Sequence, residues 1–142
     1  MKITSPAFGQ NEKIPEKFTC DGQNASPELG IDEIPNGTKT LVLLVEDPDA
    51  PSTFNHWVVF NISPARTIAE NTVPGIEGVN SAKRHSYVGP CPPSGTHRYI
   101  FKVYALDTEL NLSSNATKQD VEKAMKGHVL AQGQLVGLYS RK

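Results

Sequence analysis

The chain has 142 residues, with 14 Lys and Arg against 15 Asp and Glu, and a formal net charge of −1. A single domain over 1–142 is expected, since a chain of this length can bury a core without staples. With no Lys/Arg cluster, neither nucleic acid nor an anionic membrane surface is an expected partner, and an anion site would need a few local donors.

The chain opens with Met1-Lys2-Ile3-Thr4-Ser5-Pro6, which lacks a cationic segment followed by an apolar one. No apolar run is long enough to cross a bilayer. The expectation is a cytoplasmic protein without membrane insertion, whose two cysteines, Cys20 and Cys91, are free thiols rather than a disulfide. From Phe8 to Glu28, polar residues and prolines give strand, turn and loop, and Glu33-Ile34-Pro35-Asn36-Gly37 is a strong turn signal.

Thr40 to Glu46 is the first clear strand. Its core, Leu41-Val42-Leu43-Leu44-Val45, is apolar on both faces, which places it mid-sheet and covered on both sides. Asp47-Pro48-Asp49-Ala50-Pro51 follows directly. In an extended backbone residues i and i+2 face the same way, so the two carboxylates can converge, held by the flanking prolines.

The next strand is His56-Trp57-Val58-Val59-Phe60-Asn61-Ile62. Simple alternation puts His56, Val58 and Phe60 on one face and Trp57, Val59 and Asn61 on the other. Thr67 to Ser86 has no periodicity and reads as a long surface excursion, functional or partly structured. The turn Tyr87-Val88-Gly89-Pro90-Cys91-Pro92-Pro93-Ser94-Gly95-Thr96 leads into the strand His97 to Leu106. There His97, Tyr99, Phe101, Val103 and Ala105 face one way, and Arg98, Ile100, Lys102, Tyr104 and Leu106 the other.

One helix is predicted after Thr117, with Asp120 in a capping-box position, Val121, Ala124 and Met125 as its apolar stripe, and Gly127 as its end. Strand character returns near Leu130 and Leu135-Val136. The fold class is mostly β: an antiparallel two-sheet β-sandwich with Greek-key connections and a small C-terminal helical element.

Asp47, Asp49, His56 and His97 all start or end strands beside proline-rich turns, and Tyr99 shares a face with His97. Histidine donors, a Tyr hydroxyl, N–H groups of the glycine-containing turn and a proton-sharing carboxyl suit a phosphate monoester or similar oxyanion. The competing reading is structural, because an Asp in a Pro-containing turn usually caps its own backbone. A metal site from the two His and two Asp, and Cys91 as a nucleophile with His97 as base, are weaker alternatives, since neither has a recognised spacing. No cofactor is called for. His85 and His128 carry no assigned role, and Arg98 is expected to pair with an acidic side chain.

The motifs Asp47-Pro48-Asp49-Ala50-Pro51, His56-Trp57, Gly89-Pro90-Cys91-Pro92-Pro93 and His97-Arg98-Tyr99 together resemble the phosphatidylethanolamine-binding protein family, which includes the Raf-kinase inhibitor proteins. Phe18-Thr19-Cys20-Asp21-Gly22, Ser26-Pro27-Glu28-Leu29 and the closing stretch Gly127 to Arg141 extend the likeness to nearly the whole chain and to the prokaryotic branch. The resemblance implies an anion pocket formed by Asp47, His56, His97 and Tyr99, a rim from Gly89, Pro90 and Cys91 to Pro93, and a wall shaped by Asp49 and Pro51. It implies a non-enzymatic binder of a phosphorylated small molecule, lipid head group or phosphopeptide. The alternative is a protein inhibitor of a kinase or serine protease acting through a surface loop. Prokaryotic members are often dimeric, so a homodimer is an implied partner state. The connection from Pro51 to His56 is short against eukaryotic relatives, which implies a trimmed pocket rim.

Overall fold

The computed structural model describes residues 1–141. Among them the elements run β1 (Lys2–Thr4), β2 (Glu12–Lys13), a 3-10 turn (Glu16–Phe18), β3 (Leu29–Asp32), β4 (Thr40–Asp47), β5 (Phe54–Ile62), β6 (Thr67–Ile68), β7 (Ile76–Glu77), β8 (Thr96–Leu106), α1 (Lys118–Met125) and β9 (Val129–Ser140). They form a six-stranded sheet in the order β2-β9-β8-β4-β5-β7 and a three-stranded sheet β1-β3-β6. The protein is mostly β with two sheets. It departs from the purely antiparallel arrangement at one ladder, because β2 runs parallel to β9. This two-residue strand from the start of the chain lies along the last strand, so no hairpin dictates its direction.

The continuous apolar run of β4 has a direct cause. The strand lies between β5 and β8 and is buried at all of its positions. Leu41, Leu43 and Val45 join Trp57, Val59, Phe101 and Val103 in one apolar cluster, which also contains Ile3, Leu29, Ile31 and Ile68 of the smaller sheet. Val42 and Leu44 face the other way and pack with Val58, Phe60, Leu106 and the α1 residues Val121 and Met125. The alternation predicted for β8 holds along its length. The helix is capped as predicted: Thr117 accepts from the Asp120 N–H while the Asp120 carboxylate accepts from Thr117. Gly127, at φ +82°, turns the chain out of it.

β9 pairs with β8 from Thr96↔Ser140 to Leu106↔Val129, a longer strand than its Gln- and Gly-rich sequence signals. Facing β8 along its whole length supplies what intrinsic propensity withholds. Sequence patterning also missed Glu46, which is buried and ion-paired with both Lys102 and the first α1 residue, Lys118. Burial alone would raise its carboxyl pKa, but the hydrogen bonds from the two ammonium groups prevail and hold it below the usual carboxylate range.

The alternation predicted for β5 breaks twice. Val45 faces Trp57 and Glu46 faces Asn55, so His56 is an extra residue with no partner in β4. This β-bulge turns His56 and Trp57 toward the same side of the sheet instead of opposite sides. A second bulge lies between Leu41↔Ile62 and Leu43↔Val59. There Asn61 takes φ +54°, and its amide bonds both backbone groups of Leu110 at 2.8 and 2.9 Å. Asn is among the few residues that adopt this conformation readily. The predicted excursion from Thr67 to Ser86 is partly structured by β6 and β7. Among the described residues, no helix is long and apolar enough to cross a membrane.

Candidate functional site

Asp47 ends β4, His56 occupies the first bulge of β5, and His97 and Tyr99 open β8. Because β4 lies between the other two strands, these side chains meet at one end of the large sheet. They line a cavity of about 180 Å³ together with Ala50, Pro51, Phe54, Val88, Gly89, Cys91, Pro92 and Pro93. The bulge is decisive here. Unbroken alternation would aim His56 toward Val58 and Phe60, under the helix; instead its ring lies edge-on to Tyr99, with ring centroids 5.3 Å apart. Phe54 stands 4.8 Å from His56, centroid to centroid.

The Asp47 carboxylate and one nitrogen of each imidazole have defined partners. The Nδ1–H of His97 donates to Asp47 Oδ2 at 2.6 Å, and the other oxygen, Oδ1, accepts the Asp49 backbone N–H at 2.8 Å. Asp47 therefore both caps its own turn and orients the His97 ring. His56 Nδ1 donates to the Val88 carbonyl at 2.5 Å, and the Val88 N–H returns a bond to the His56 carbonyl at 3.1 Å. A carbonyl only accepts, so Nδ1 of His56 carries the hydrogen; the same holds for His97 against a carboxylate. Among the described residues, neither ring has a hydrogen-bond partner at Nε2. Desolvation lowers the His56 pKa below its usual value; the Val88 carbonyl and the Asp47 charge oppose that shift, and the neighbouring His97 adds to it. Burial, then the charge of Asp47, push the Tyr99 phenol well above its ordinary range.

Asp49 does not converge with Asp47. Its carboxylate faces Arg98, accepting from the Arg98 backbone N–H, Nε and Nη2 at 2.8, 3.0 and 2.8 Å. These bonds hold the Asp49 pKa down at about 2. The acidic partner predicted for Arg98 is thus Asp49, and this pair stands outside the cavity wall. The two carboxylates, two residues apart, turn to different partners, Asp47 to His97 and Asp49 to Arg98.

The rim brings a second correction. Cys20 and Cys91 are joined in a disulfide, with Cα atoms 5.5 Å apart. Their 71-residue separation hides the proximity that the fold creates. The stretch from Tyr87 to Cys91 is tied to the end of the 3-10 turn and the segment after it. Tyr87 Oη donates to the Phe18 carbonyl, the Cys20 N–H donates to the Pro90 carbonyl, and the Gly89 N–H donates to Asn24 Oδ1. The Gly89 N–H, expected as a ligand donor, is therefore already committed. A Cβ at Gly89 would sit 2.5 Å from the Phe18 carbonyl oxygen and 2.9 Å from Thr19 Cα, so only glycine fits this close approach. Pro90 is buried behind the rim and does not line the cavity. With its sulfur bonded to Cys20, Cys91 has no thiolate to act as a nucleophile. Among the described residues, no group of three His, Cys, Asp or Glu side chains is placed to hold a metal ion.

Ala50, Phe54 and Val88 line the cavity although the sequence did not single them out, and Pro92 does so as part of the expected rim. Phe54 was within reach, since it lies two residues before His56 on an extended chain. Val88 had no such signal, because it meets His56 only through the tertiary fold.

The description "Phosphatidylethanolamine-binding protein" belongs to the family model that matches residues 4–140. The chain is 47% identical over 150 residues to a UPF0098 protein of Methanothermobacter thermautotrophicus, covering 99% of each. It is also 47% identical over 154 residues to one from Pyrococcus horikoshii, covering all of this chain and 77% of the relative. A putative phosphatidylethanolamine-binding protein homologue of Chlamydia trachomatis superposes with a TM-score of 0.96 at 39% identity, covering 99% of this chain and 97% of that one. A member from Escherichia coli does so at 0.91 and 29%, with coverage of 99% and 98%. With the fold, the motifs and the comparisons in agreement over almost its whole length, the chain is a member of the phosphatidylethanolamine-binding protein family.

Proposed function

We propose that the protein is a non-enzymatic receptor for a phosphoryl group on a small molecule or peptide, bound in the cavity between His56 and His97. The observation that carries this reading is the pair of imidazoles whose Nδ1–H groups are both committed, to Val88 and to Asp47. Each ring is left with Nε2 at the cavity, an acceptor when neutral and a donor when protonated. Two such nitrogens beside the Tyr99 hydroxyl suit an anion that shares a proton with its site. The surrounding Ala50, Pro51, Phe54, Val88 and Pro92 accommodate an apolar or aromatic body on the ester side. The polar side chains that the described residues offer to a ligand there are the two imidazoles, the Asp47 carboxylate and the Tyr99 phenol.

The test is a titration of phenyl phosphate into isotope-labelled protein, following the ring resonances of His56 and His97. Both rings should shift saturably at millimolar ligand. Absence of any shift in either ring would refute the reading.

A further inference from the structure

The Cys20–Cys91 bond is the last cross-link between the rim of the cavity and the body of the protein. Up to Cys91 the rim is held at several points, through Tyr87 to Phe18, Gly89 to Asn24 and Pro90 to Cys20. Beyond it, Pro92, Pro93, Ser94 and Gly95 make no hydrogen bond among the described residues, and the next anchor is β8, which begins at Thr96. The two prolines have no N–H that could supply one. Yet Pro92 and Pro93, like Cys91 itself, are part of the cavity wall. The disulfide therefore fixes one end of this stretch of wall, and β8 fixes the other.

The bond is also within reach of solvent, because Cys20 and Cys91 are both exposed residues. Exposed disulfides are the ones that exchange with an incoming thiolate, whereas enclosed ones resist it. The hydrogen bonds that hold Gly89 and Pro90 do not involve sulfur. They survive reduction and keep the two thiols close enough to rejoin, which makes opening reversible.

We propose that the Cys20–Cys91 bond is a redox latch: a dithiol reductant opens it in the folded protein, frees the Pro92–Pro93 wall and weakens anion binding in the cavity. One thiolate of the reductant attacks a cysteine sulfur, forming a mixed disulfide and releasing the other cysteine as a thiolate, which takes up a proton. The second thiol of the reductant then displaces the remaining cysteine. Two electrons pass to the protein, which gains two thiols, and the reductant leaves as its own disulfide. The inference rests on the phosphoryl-binding reading and adds its regulation.

The experiment equilibrates the protein at graded ratios of reduced to oxidised dithiothreitol, with and without phenyl phosphate at a concentration that saturates both forms. Alkylation and mass measurement count the free thiols, and calorimetry gives the affinity of each form for phenyl phosphate. Reduced protein should bind several-fold more weakly, and Cys20→Ser/Cys91→Ser protein equally weakly whether or not dithiothreitol is present. Because coupling between two sites is reciprocal, phenyl phosphate should raise the dithiothreitol ratio needed for half-reduction by that same factor. Reduction should outpace global unfolding, read from hydrogen exchange of the β4 amides, and leave the β4 and α1 resonances in place. Equal affinity of the two forms, reduction no faster than global unfolding, or resonance changes spread through β4 and α1 would each overturn the latch while the phosphoryl reading stands. Failure of phenyl phosphate to bind the oxidised protein would overturn both.

Discussion

The Asp47 carboxylate joins His97 at 2.6 Å with one oxygen and caps the backbone of Asp49 with the other. One side chain thus fixes both the turn that closes the cavity and the ring that opens into it. Asp47→Ala should therefore weaken phenyl phosphate binding about tenfold, equivalent to roughly 1.4 kcal/mol, in line with loss of one hydrogen bond to a charged group. Calorimetry checks the affinity, and the His97 ring resonances should broaden as the ring loses its fixed orientation.

Asp49 gives the contrasting case. Its bonds go to Arg98 on an exposed surface, so Asp49→Asn should leave phenyl phosphate affinity within about a factor of two. The stability cost should be small, on the order of 0–1 kcal/mol, as for other exposed ion pairs. Urea denaturation and the same titration measure both. A large loss of binding would mean that this carboxylate serves the cavity after all.

Burial lowers the His56 pKa, which makes stability and binding respond to pH in opposite directions. In the unfolded chain a histidine takes its proton near pH 6.5, before buried His56 does. The contribution of neutral His56 is therefore complete above that pH and is lost as pH falls toward its lower folded value. The thermal midpoint gap between the native protein and His56→Gln should narrow from pH 7.5 to pH 5.5. Binding an anion favours the protonated ring, so phenyl phosphate should bind with proton uptake and more tightly as pH falls from 8 to 6. Calorimetry in buffers of different ionisation enthalpy measures that uptake.

The disulfide closes a loop with a sequence separation of 71 residues. Cys20→Ser/Cys91→Ser should lower unfolding free energy by about 4 kcal/mol on the chain-entropy estimate, seen as a lower urea midpoint. Because Cys91 lines the cavity, phenyl phosphate affinity should fall with it. The Gly89–Asn24 and Cys20–Pro90 hydrogen bonds remain, so a loss of several-fold rather than abolition is expected.

The elements that were legible in the sequence are those whose signal is local. β4 advertised its double burial through five consecutive apolar residues, β8 its two faces through strict alternation, and α1 its start through the Thr117–Asp120 box. The convergence of Asp47, His56, His97 and Tyr99 followed from motifs that carry a family likeness. What stayed hidden depends on distant contacts. The parallel β2–β9 ladder, the Cys20–Cys91 bond, the commitment of the Gly89 N–H to Asn24 and the buried Glu46 between two lysines all join segments far apart in sequence. The bulge at His56 was hidden for a different reason: a single unpaired residue leaves no mark in a pattern of apolar and polar letters.

That bulge separates two reading frames within one strand. From Trp57 to Phe60 the alternation of β5 is set by the core, whereas Phe54 and His56 follow the phase of the cavity. A change in the length of the Pro48–Thr53 connection can therefore be absorbed ahead of the bulge without turning a single core residue outward. The mouth of the cavity is free to diversify among relatives while the strand that supports it stays in register.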